Sequence, residues 1–388
     1  MQVHLTLFLK SVRALTAFTV AILCLGLTCG AQAQNGAPPA SEDLGIVPIV
    51  VWAPSIAPVA FKADGGWNVA YELRVLSVAD TGDTTFSRVD VLGPNHEKLF
   101  TLSGDDLKAL FAAQASSAPK LAPRSYTTLF MWVTASSLDE IPAAIELRMT
   151  VKSSDDPEEL TTDTPAVPIS RKPVIVIDPP VRGDDWMAAN GPSNSSSHRR
   201  AVLPLDGSSF LGQRFAIDWA RMFPDNEMSH RDAKINRNYR SYGEPVYAVA
   251  DGTITEVTDG IPENVPGPNF RAVEITTKTL AGNHVIERLG DGIYATFAHM
   301  QPGSLRVKLG DHVHRGQLLG LVGNSGNSTG PHLHFQLCDA NSVIHCDGIP
   351  YAIRTFQSQG RWKVEGTPVT RTEELPTDGE IVTFAPDK

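Results

Sequence analysis

Three features are scarce in this 388-residue sequence, and each scarcity excludes a class of protein. The 33 Lys and Arg residues are outnumbered by 43 Asp and Glu, and the net charge of −10 has the wrong sign for a protein that mainly binds nucleic-acid phosphates. Beyond residue 33 no apolar run approaches about 18 residues, so no membrane-spanning helix is expected there. Cysteine occurs four times, twice before residue 33, and the remaining two are too few for a zinc knuckle.

The first 33 residues have the pattern of a signal peptide. Lys10 and Arg13 provide a positive region, a mostly apolar stretch covers residues 14–27, and small residues precede the expected cleavage point. A membrane anchor is the alternative, but the apolar stretch is shorter than the roughly 20 residues that a spanning helix needs. We predict that the mature protein begins near Gln34 and is exported, either to the periplasm or out of the cell.

Export bears on the two cysteines outside the signal, Cys338 and Cys346. In an oxidising compartment an even pair so close in sequence predicts a disulfide, and two free thiols are the alternative. A short ring of this kind would stabilise the fold by roughly 2–3 kcal/mol.

The length favours two domains joined by connecting segments. A leader over residues 34–45 precedes a region, 46–152, in which short alternating and β-branched runs are separated by Gly, Pro, Asp and Ser. The strands predicted in this region are Ile46 to Trp52, Trp67 to Val78, Phe86 to Leu92, Thr127 to Val133 and Ala144 to Val151. Their spacing predicts a β-sandwich, with a short helix within 104–114. The region contains no acid–base or metal-ligand constellation, which is typical of a spacer or binding module.

Composition sets the other boundaries. Residues 153–200 have the charged, Thr- and Pro-rich character of a linker, interrupted by an apolar strand at 173–177 that we expect to dock on a neighbouring domain. Strand-like runs with Gly-centred turns resume over 201–356. The Thr-, Glu- and Pro-rich residues 357–388 are predicted to form a partly ordered tail. The predicted fold class is therefore all-β and mainly antiparallel, with a sandwich-like domain followed by a second β-sheet domain.

The most informative motif is His332-Leu333-His334, which follows a loop rich in Gly, Asn and Ser at 323–331. Side chains alternate along a strand, so both imidazoles project from one face while Leu333 and its apolar neighbours face the core. Two histidines then share one pocket. A β-scaffold can in this way offer one ring to a metal and the other to a reacting group.

Three segments upstream of the motif contain Gly, His or both: 243–252, 294–300 and 307–322. In this order and spacing the residues resemble the LytM/lysostaphin-type zinc metallopeptidases, which cleave peptide cross-links of bacterial cell walls. The resemblance covers residues 201–337, about a third of the chain. It implies a compact, mostly antiparallel β-sheet domain with an open groove, and peptidoglycan peptides as partners.

The resemblance also implies roles for particular residues. Asp218 and His334 correspond to zinc ligands, and His299 and His332 correspond to the catalytic pair. Zinc lowers the pKa of bound water and polarises a carbonyl, while one imidazole accepts the proton of water and the other stabilises the oxyanion. The resemblance does not say which imidazole does which.

One position departs from the family pattern, because Arg214 stands four residues before Asp218, where the first zinc-ligand histidine is expected. Extended-chain geometry predicts that Arg214, Ala216 and Asp218 share one face. Arginine has donors only and cannot give a lone pair to zinc. It could instead form an ion pair with Asp218, and its charge would then disfavour the dication.

A zinc site would then need a substitute ligand. His230 lies in an inserted segment, 223–242, that could fold over the groove, although a polar surface loop is the plainer interpretation. Gln213 could coordinate only if its strand were bulged. His198 is near enough to the start of the domain to be a further, weaker candidate.

Other histidines are assigned no role. His312 and His314 form a second His-x-His in a Gly-flanked connector, which is typical of exposed turn residues. His345 stands beside Cys346 and is expected to belong to the disulfide loop.

Two functional hypotheses follow. The first is an exported zinc metalloendopeptidase that hydrolyses peptidoglycan cross-links through Asp218, His334 and a substitute ligand. The second is a catalytically inactive domain, with an ion pair between Arg214 and Asp218, that binds wall peptides or regulates another cell-wall hydrolase. A third, sugar-phosphotransfer carriers with paired histidines, is disfavoured because export would separate the protein from cytosolic phosphate donors.

Overall fold

The computed structural model describes residues 47–111, 119–156, 158–290 and 292–385. The predicted signal peptide (1–33) and leader (34–45) lie outside the described residues. Those that are described belong to one compact unit of the chain. Within this part of the chain, no helix is long and apolar enough to cross a membrane.

Alternating apolar residues build a two-sheet domain at the start of the described chain. Its strands are β1 (Ile49–Trp52), β2 (Phe61–Ala63), β3 (Gly66–Ser77), β4 (Thr84–Leu92), β5 (Lys98–Leu102), β6 (Lys120–Leu121), β7 (Tyr126–Ala135), β8 (Ala144–Ser153), β9 (Leu160–Asp163) and β10 (Val167–Pro168). One sheet has the order β1-β3-β2 with β7 on β3, and the other has β10-β8-β4-β5 with β6 on β4 and β9 on β8. Buried side chains of both sheets share one core, as in a β-sandwich.

The five strands predicted in this domain are all present, with ends displaced by three residues or fewer. The predicted start of the first strand, residue 46, lies outside the described residues. The predicted helix is α1 (Gly104–Ala109), and residues 112–114 of the predicted range lie outside the described residues. A 3₁₀ helix occupies Leu138–Glu140. The period-two pattern worked well here because each sheet buries one face and exposes the other.

A long sheet organises the rest of this unit, residues 173–385, which we call the second domain, and the two-sheet part before it is called the first domain. Its strands are β11 (Ile175–Ile177), β12 (Gly183–Ala189), β15 (Ile217–Arg221), β17 (Gly252–Thr258), β18 (Asn283–Gly290), β19 (Ile293–Met300), β20 (His312–Val313), β22 (Leu333–Cys338), β23 (Tyr351–Arg361), β24 (Val364–Glu374) and β25 (Glu380–Phe384). They have the order β11-β23-β25-β12-β15-β22-β19-β18-β17-β20, with β24 on β23. The pair β11–β23 is parallel and the other pairs of this sheet are antiparallel.

Smaller elements complete the domain. The strands β13 (Leu203–Leu205) and β14 (Ser208–Phe210) pair with each other, as do β16 (Pro245–Tyr247) and β21 (Leu318–Leu321), and a 3₁₀ helix lies at Asn236–Asn238. The all-β, mainly antiparallel fold class is confirmed.

Two segments are more ordered than their composition suggested. The strand at 173–177 docks as expected, through β11 on β23, but the expected linker also contains β12, with Trp186 fully buried. The expected tail forms β24, β25 and the end of β23. Its composition is mostly polar, but its residues Val382 and Phe384 are fully buried and supply the apolar contacts that order it.

Candidate metal centre

Two adjacent strands in the middle of the long sheet bring Asp218 and His334 together. Asp218 is the cross-strand partner of His334 in the β15–β22 ladder. The flanking residues Ile217, Trp219 and Leu333 are fully buried on the opposite face, and they fix which way the polar side chains point. The Nδ1 atom of His334 lies 2.9 Å from Oδ1 of Asp218.

A third donor comes from outside the ladder. The Nε2 atom of His198 lies 3.3 Å from Oδ2 of Asp218, and its ring centroid is 4.9 Å from that of His334. Ligand atoms of these three residues all lie within 4.8 Å of one another. Two imidazoles and a carboxylate form a donor set that suits zinc and leaves a coordination position open.

Arg214 does not take part in this cluster. Residues 212–215 form a turn, in which the Arg214 amide donates to the carbonyl of Leu211, and β15 begins only at Ile217. The expectation that an extended chain places Arg214 and Asp218 on one face is therefore wrong. The guanidinium instead contacts Glu72 of β3, with Nη2 2.7 Å from Oε2, and donates to the carbonyl of Gly348.

The other candidate ligands lie elsewhere. His230 is exposed, stacks on Phe223 and contacts Asp225, so it does not fold over the cluster. Gln213 belongs to the same turn as Arg214 and not to a bulged strand. Another group of possible ligands within the described residues, His96, Glu146 and Asp163, lies in the first domain. There Arg148 already neutralises Asp163 through two hydrogen bonds of 2.7 Å.

His332 and His299 border the cluster. The Nε2 atom of His332 lies 3.4 Å from Oδ1 of Asp218, and the ring centroids of His299 and His332 are 4.9 Å apart. Ala298 lies opposite His334 and shares its face of the sheet. In a regular strand the next side chain, His299, would therefore point to the other face, away from the cluster. A register shift in the β18–β19 ladder and a φ of 65° at His299 turn its ring towards the cluster.

Oxygen acceptors fix the ring protons of these histidines. The Nδ1 atoms of His299 and His332 each lie 2.8 Å from a backbone carbonyl, that of Ser325 and that of Gly330 respectively. Because a carbonyl only accepts, these nitrogens carry the hydrogen, and in the neutral rings each Nε2 keeps its lone pair.

The same argument applies to His334 through Gln336. The amide nitrogen of Gln336 donates to the carbonyl of Val343, so its Oε1 accepts from Nε2 of His334 at 3.0 Å. The Nδ1 lone pair of His334 therefore faces the Asp218 carboxylate, an arrangement that a proton or a metal cation between them would relieve. Because a lone pair and a carboxylate face each other, these donors are arranged to bind a cation between them.

The charge distribution points the same way. Burial would raise the pKa of Asp218, but the facing His332 and His198 hold it well below its usual range. Burial opposes protonation of His198 and His332 too, yet Asp218 raises the pKa of both. For His299, burial together with His332 and His334 lowers the pKa well below its ordinary value. These directions favour an ionised carboxylate at Asp218 and positive charge on the groups that face it.

Sequence analysis missed two supporting residues, Gln336 and Asn190. The side-chain amide of Asn190 donates to Oδ2 of Asp218 at 2.9 Å, and the hydroxyl of Ser197 donates to Oδ1 of Asn190. Gln336 could have been found, because it follows His334 by two residues on the same face of the strand. Asn190 carries no such signal, because it lies in a polar run typical of a linker.

The remaining sequence assignments concern the periphery. Cys338 and Cys346 form a disulfide. His345 contacts Asp206 beside it, with Nε2 2.9 Å from Oδ2. His312 and His314 are exposed.

Residues 237–345 match the model of peptidase family M23. The matched range contains His299, His332 and His334, whereas Asp218 and His198 lie before it. Curated relatives include the peptidoglycan DD-endopeptidase ShyA of Vibrio cholerae, 35% identical over 95 residues, which are 24% of this chain and 17% of that protein. The glycyl-glycine endopeptidase ALE-1 of Staphylococcus capitis is 33% identical over 98 residues, 25% of this chain and 22% of that protein.

The chain matches less than a quarter of the length of either relative. Among solved structures, the catalytic domain of lysostaphin from Staphylococcus simulans aligns with 43% of this chain and 86% of that chain. Its identity is 23% and its TM-score is 0.23.

Proposed function

We propose, because residues 237–345 match the model of peptidase family M23, that the chain is an exported zinc endopeptidase that hydrolyses peptide cross-links of bacterial peptidoglycan. The observation that carries the proposal is the convergence of His198, Asp218 and His334 beside two further imidazoles. The names of both curated relatives are those of endopeptidases, which supports the reaction class.

In this proposal His198, Asp218 and His334 hold the zinc. When bound, zinc supplies Lewis acidity: it acidifies water and polarises a peptide carbonyl. Asn190 and Gln336 orient the carboxylate and the imidazole of the ligands Asp218 and His334 through their hydrogen bonds.

His299 and His332 act on the substrate. In their neutral forms each presents an Nε2 lone pair, because each Nδ1 donates to a carbonyl. Such a nitrogen can accept the proton of the attacking water, and a protonated ring can donate to the developing oxyanion or to the leaving amine. The side chain of His332 is 15% exposed, so it is accessible from solvent.

The alternative of an inactive wall-binding or regulatory domain required Arg214 in the place of the metal. The contacts of Arg214 with Glu72 and Gly348 do not favour it. Export is proposed on the strength of residues 1–33 alone.

Incubation of the purified, zinc-loaded protein with cross-linked peptidoglycan tests the proposal. Chromatography of the digested wall should show cross-linked muropeptide dimers converted to monomers, and His332→Ala or a chelator should stop the conversion. Unchanged cross-linking in the presence of the zinc-loaded wild-type protein would refute it.

A further inference from the structure

Glu72, a residue of the first β-domain, is bound by two arginines of the second. Arg214 reaches both of its carboxylate oxygens, with Nε 3.0 Å from Oε1 and Nη2 2.7 Å from Oε2. Arg199 donates from Nη1 to Oε1 as well. The side chain of Glu72 is 9% exposed and that of Arg199 is fully buried, so this ion pair is shielded from solvent. A shielded bidentate contact of this kind fixes geometry as well as charge.

Arg199 directly follows His198 in the chain. Besides Glu72 it binds backbone of the first domain, with Nη2 3.0 Å from the carbonyl of Tyr71 and 3.3 Å from that of Met131. The next residue, Arg200, donates from Nη1 to the carbonyl of Phe111 at 2.6 Å. The segment that carries His198 is therefore bonded to the first domain immediately after the histidine.

His198 belongs to no strand of the second domain. Apart from its contact with Asp218, its ring makes one long backbone contact, 3.4 Å from Nδ1 to the carbonyl of Ala216. The preceding residue, Ser197, donates a hydrogen bond to Oδ1 of Asn190, which directly follows β12. Asp218 and His334, in contrast, are held in a ladder between fully buried neighbours. Of the three donors, His198 is the one that no strand of the long sheet holds.

We propose that Glu72 is a positioning residue for the metal centre. Acting through Arg199, it holds His198 within reach of Asp218 and His334, so that zinc affinity depends on the docking of the first β-domain. The inference rests on the proposed zinc site. It also explains the arginine at 214. If His198 is the ligand, position 214 need not supply one, and Arg214 instead binds Oε2 of Glu72, the oxygen that Arg199 does not contact.

The test is a double-mutant cycle on zinc affinity in the full-length chain, measured by competition with a chromophoric chelator. Glu72→Gln should weaken zinc binding by about 10- to 100-fold, the range seen when supporting residues of metal ligands are removed. In a His198→Ala background the same substitution should have no further effect, because the residue through which Glu72 acts is gone. Asp90→Asn is the matched control, since Asp90 also binds an arginine, Arg88, in the first domain.

Each outcome separates the two proposals. If the wild-type protein binds no zinc, the proposed function fails and this inference fails with it. If the wild type binds zinc and folded Glu72→Gln binds it equally well, or if its effect persists in the His198→Ala background, only the inference is overturned. If circular dichroism shows that Glu72→Gln is unfolded, Arg199→Lys is measured in its place. Lysine keeps the charge but loses the contacts to the carbonyls of Tyr71 and Met131. Unchanged zinc affinity in Arg199→Lys would also overturn the inference.

Discussion

The chain contains two His-x-His motifs with the same spacing in opposite surroundings. His332 precedes β22 and His334 lies within it, between two neighbouring strands of the long sheet. His312 lies in β20, at the end of that sheet, and His314 follows it. The exposed fraction of the side chain is 6% for His334 and 88% for His314.

The cross-strand neighbour accounts for the difference. His334 lies opposite Asp218, whose carboxylate is buried among imidazoles. His312 lies opposite Thr253, and its Nδ1 is 3.2 Å from the hydroxyl oxygen of that residue. Spacing alone places two rings on one face, whereas the strand beside them decides whether they meet a carboxylate out of water.

The largest effect is expected from removing the buried ligand. His334→Ala should weaken zinc binding by more than about 100-fold and abolish wall hydrolysis, because it deletes a coordinating group rather than a supporting one. His314→Ala should leave both unchanged. Chelator competition measures the zinc affinity of the two variants, and muropeptide analysis measures their wall hydrolysis. Equal zinc affinities in His334→Ala and His314→Ala would contradict the difference between the two motifs.

A large effect on rate, without loss of metal, is expected at His299. His299→Ala should lower kcat by about 10²- to 10⁴-fold, the usual contribution of general acid–base catalysis, with zinc content retained. His312→Ala should match the wild-type rate. Elemental analysis beside a turnover assay separates the two roles, and loss of zinc from His299→Ala would contradict the assignment.

A smaller effect is expected at the residues that hydrogen-bond the two motifs. Gln336→Leu removes the acceptor for Nε2 of His334 and should weaken zinc binding by about 10- to 100-fold. Thr253→Val removes the hydroxyl beside His312 and should not change it. A Gln336→Leu variant with wild-type zinc affinity would show that this contact does not orient the ring.

The smallest effect on function is expected at Glu287 of β18, which is fully buried and whose Oε1 atom has no hydrogen-bond partner. Burial raises the pKa of Glu287 to about 8. Between the unfolded pKa of about 4.5 and 8, the folded state holds a proton that the unfolded state has lost, so the free energy of unfolding falls as pH rises.

Glu287→Gln should remove this dependence. Urea denaturation at pH 5 and pH 8 should show that the wild type loses of the order of 3 kcal/mol more than the variant does, with zinc affinity unchanged. Parallel losses in the two proteins would contradict the burial argument.

Much of the fold followed from local patterns. Alternation predicted the strands of the first domain because each has one buried face, as Val69 and Leu73 show in β3. The order in the C-terminal residues was missed because Thr, Glu and Pro dominate their composition. Their apolar residues Val382 and Phe384 are few, but they are fully buried.

The residues of the candidate site also differ in how far a local sequence pattern could predict them. The face shared by His332 and His334 follows from the period of a strand, and the resemblance to a peptidase family pointed to Asp218 and His299. For His198 the sequence offered only a weak signal, its nearness to the start of the domain, because it is 20 residues before Asp218 and outside any strand. Its position depends on contacts between two domains, which a local pattern does not contain.

The most direct test of the account is the zinc content of the wild-type protein and of His198→Ala after both are equilibrated at the same low free-zinc concentration, which a chelator buffers. The account predicts one zinc per wild-type chain and little or none in the variant, because His198 supplies the ligand that Arg214 cannot. A zinc-free wild-type protein, or a variant that keeps its zinc, would contradict it.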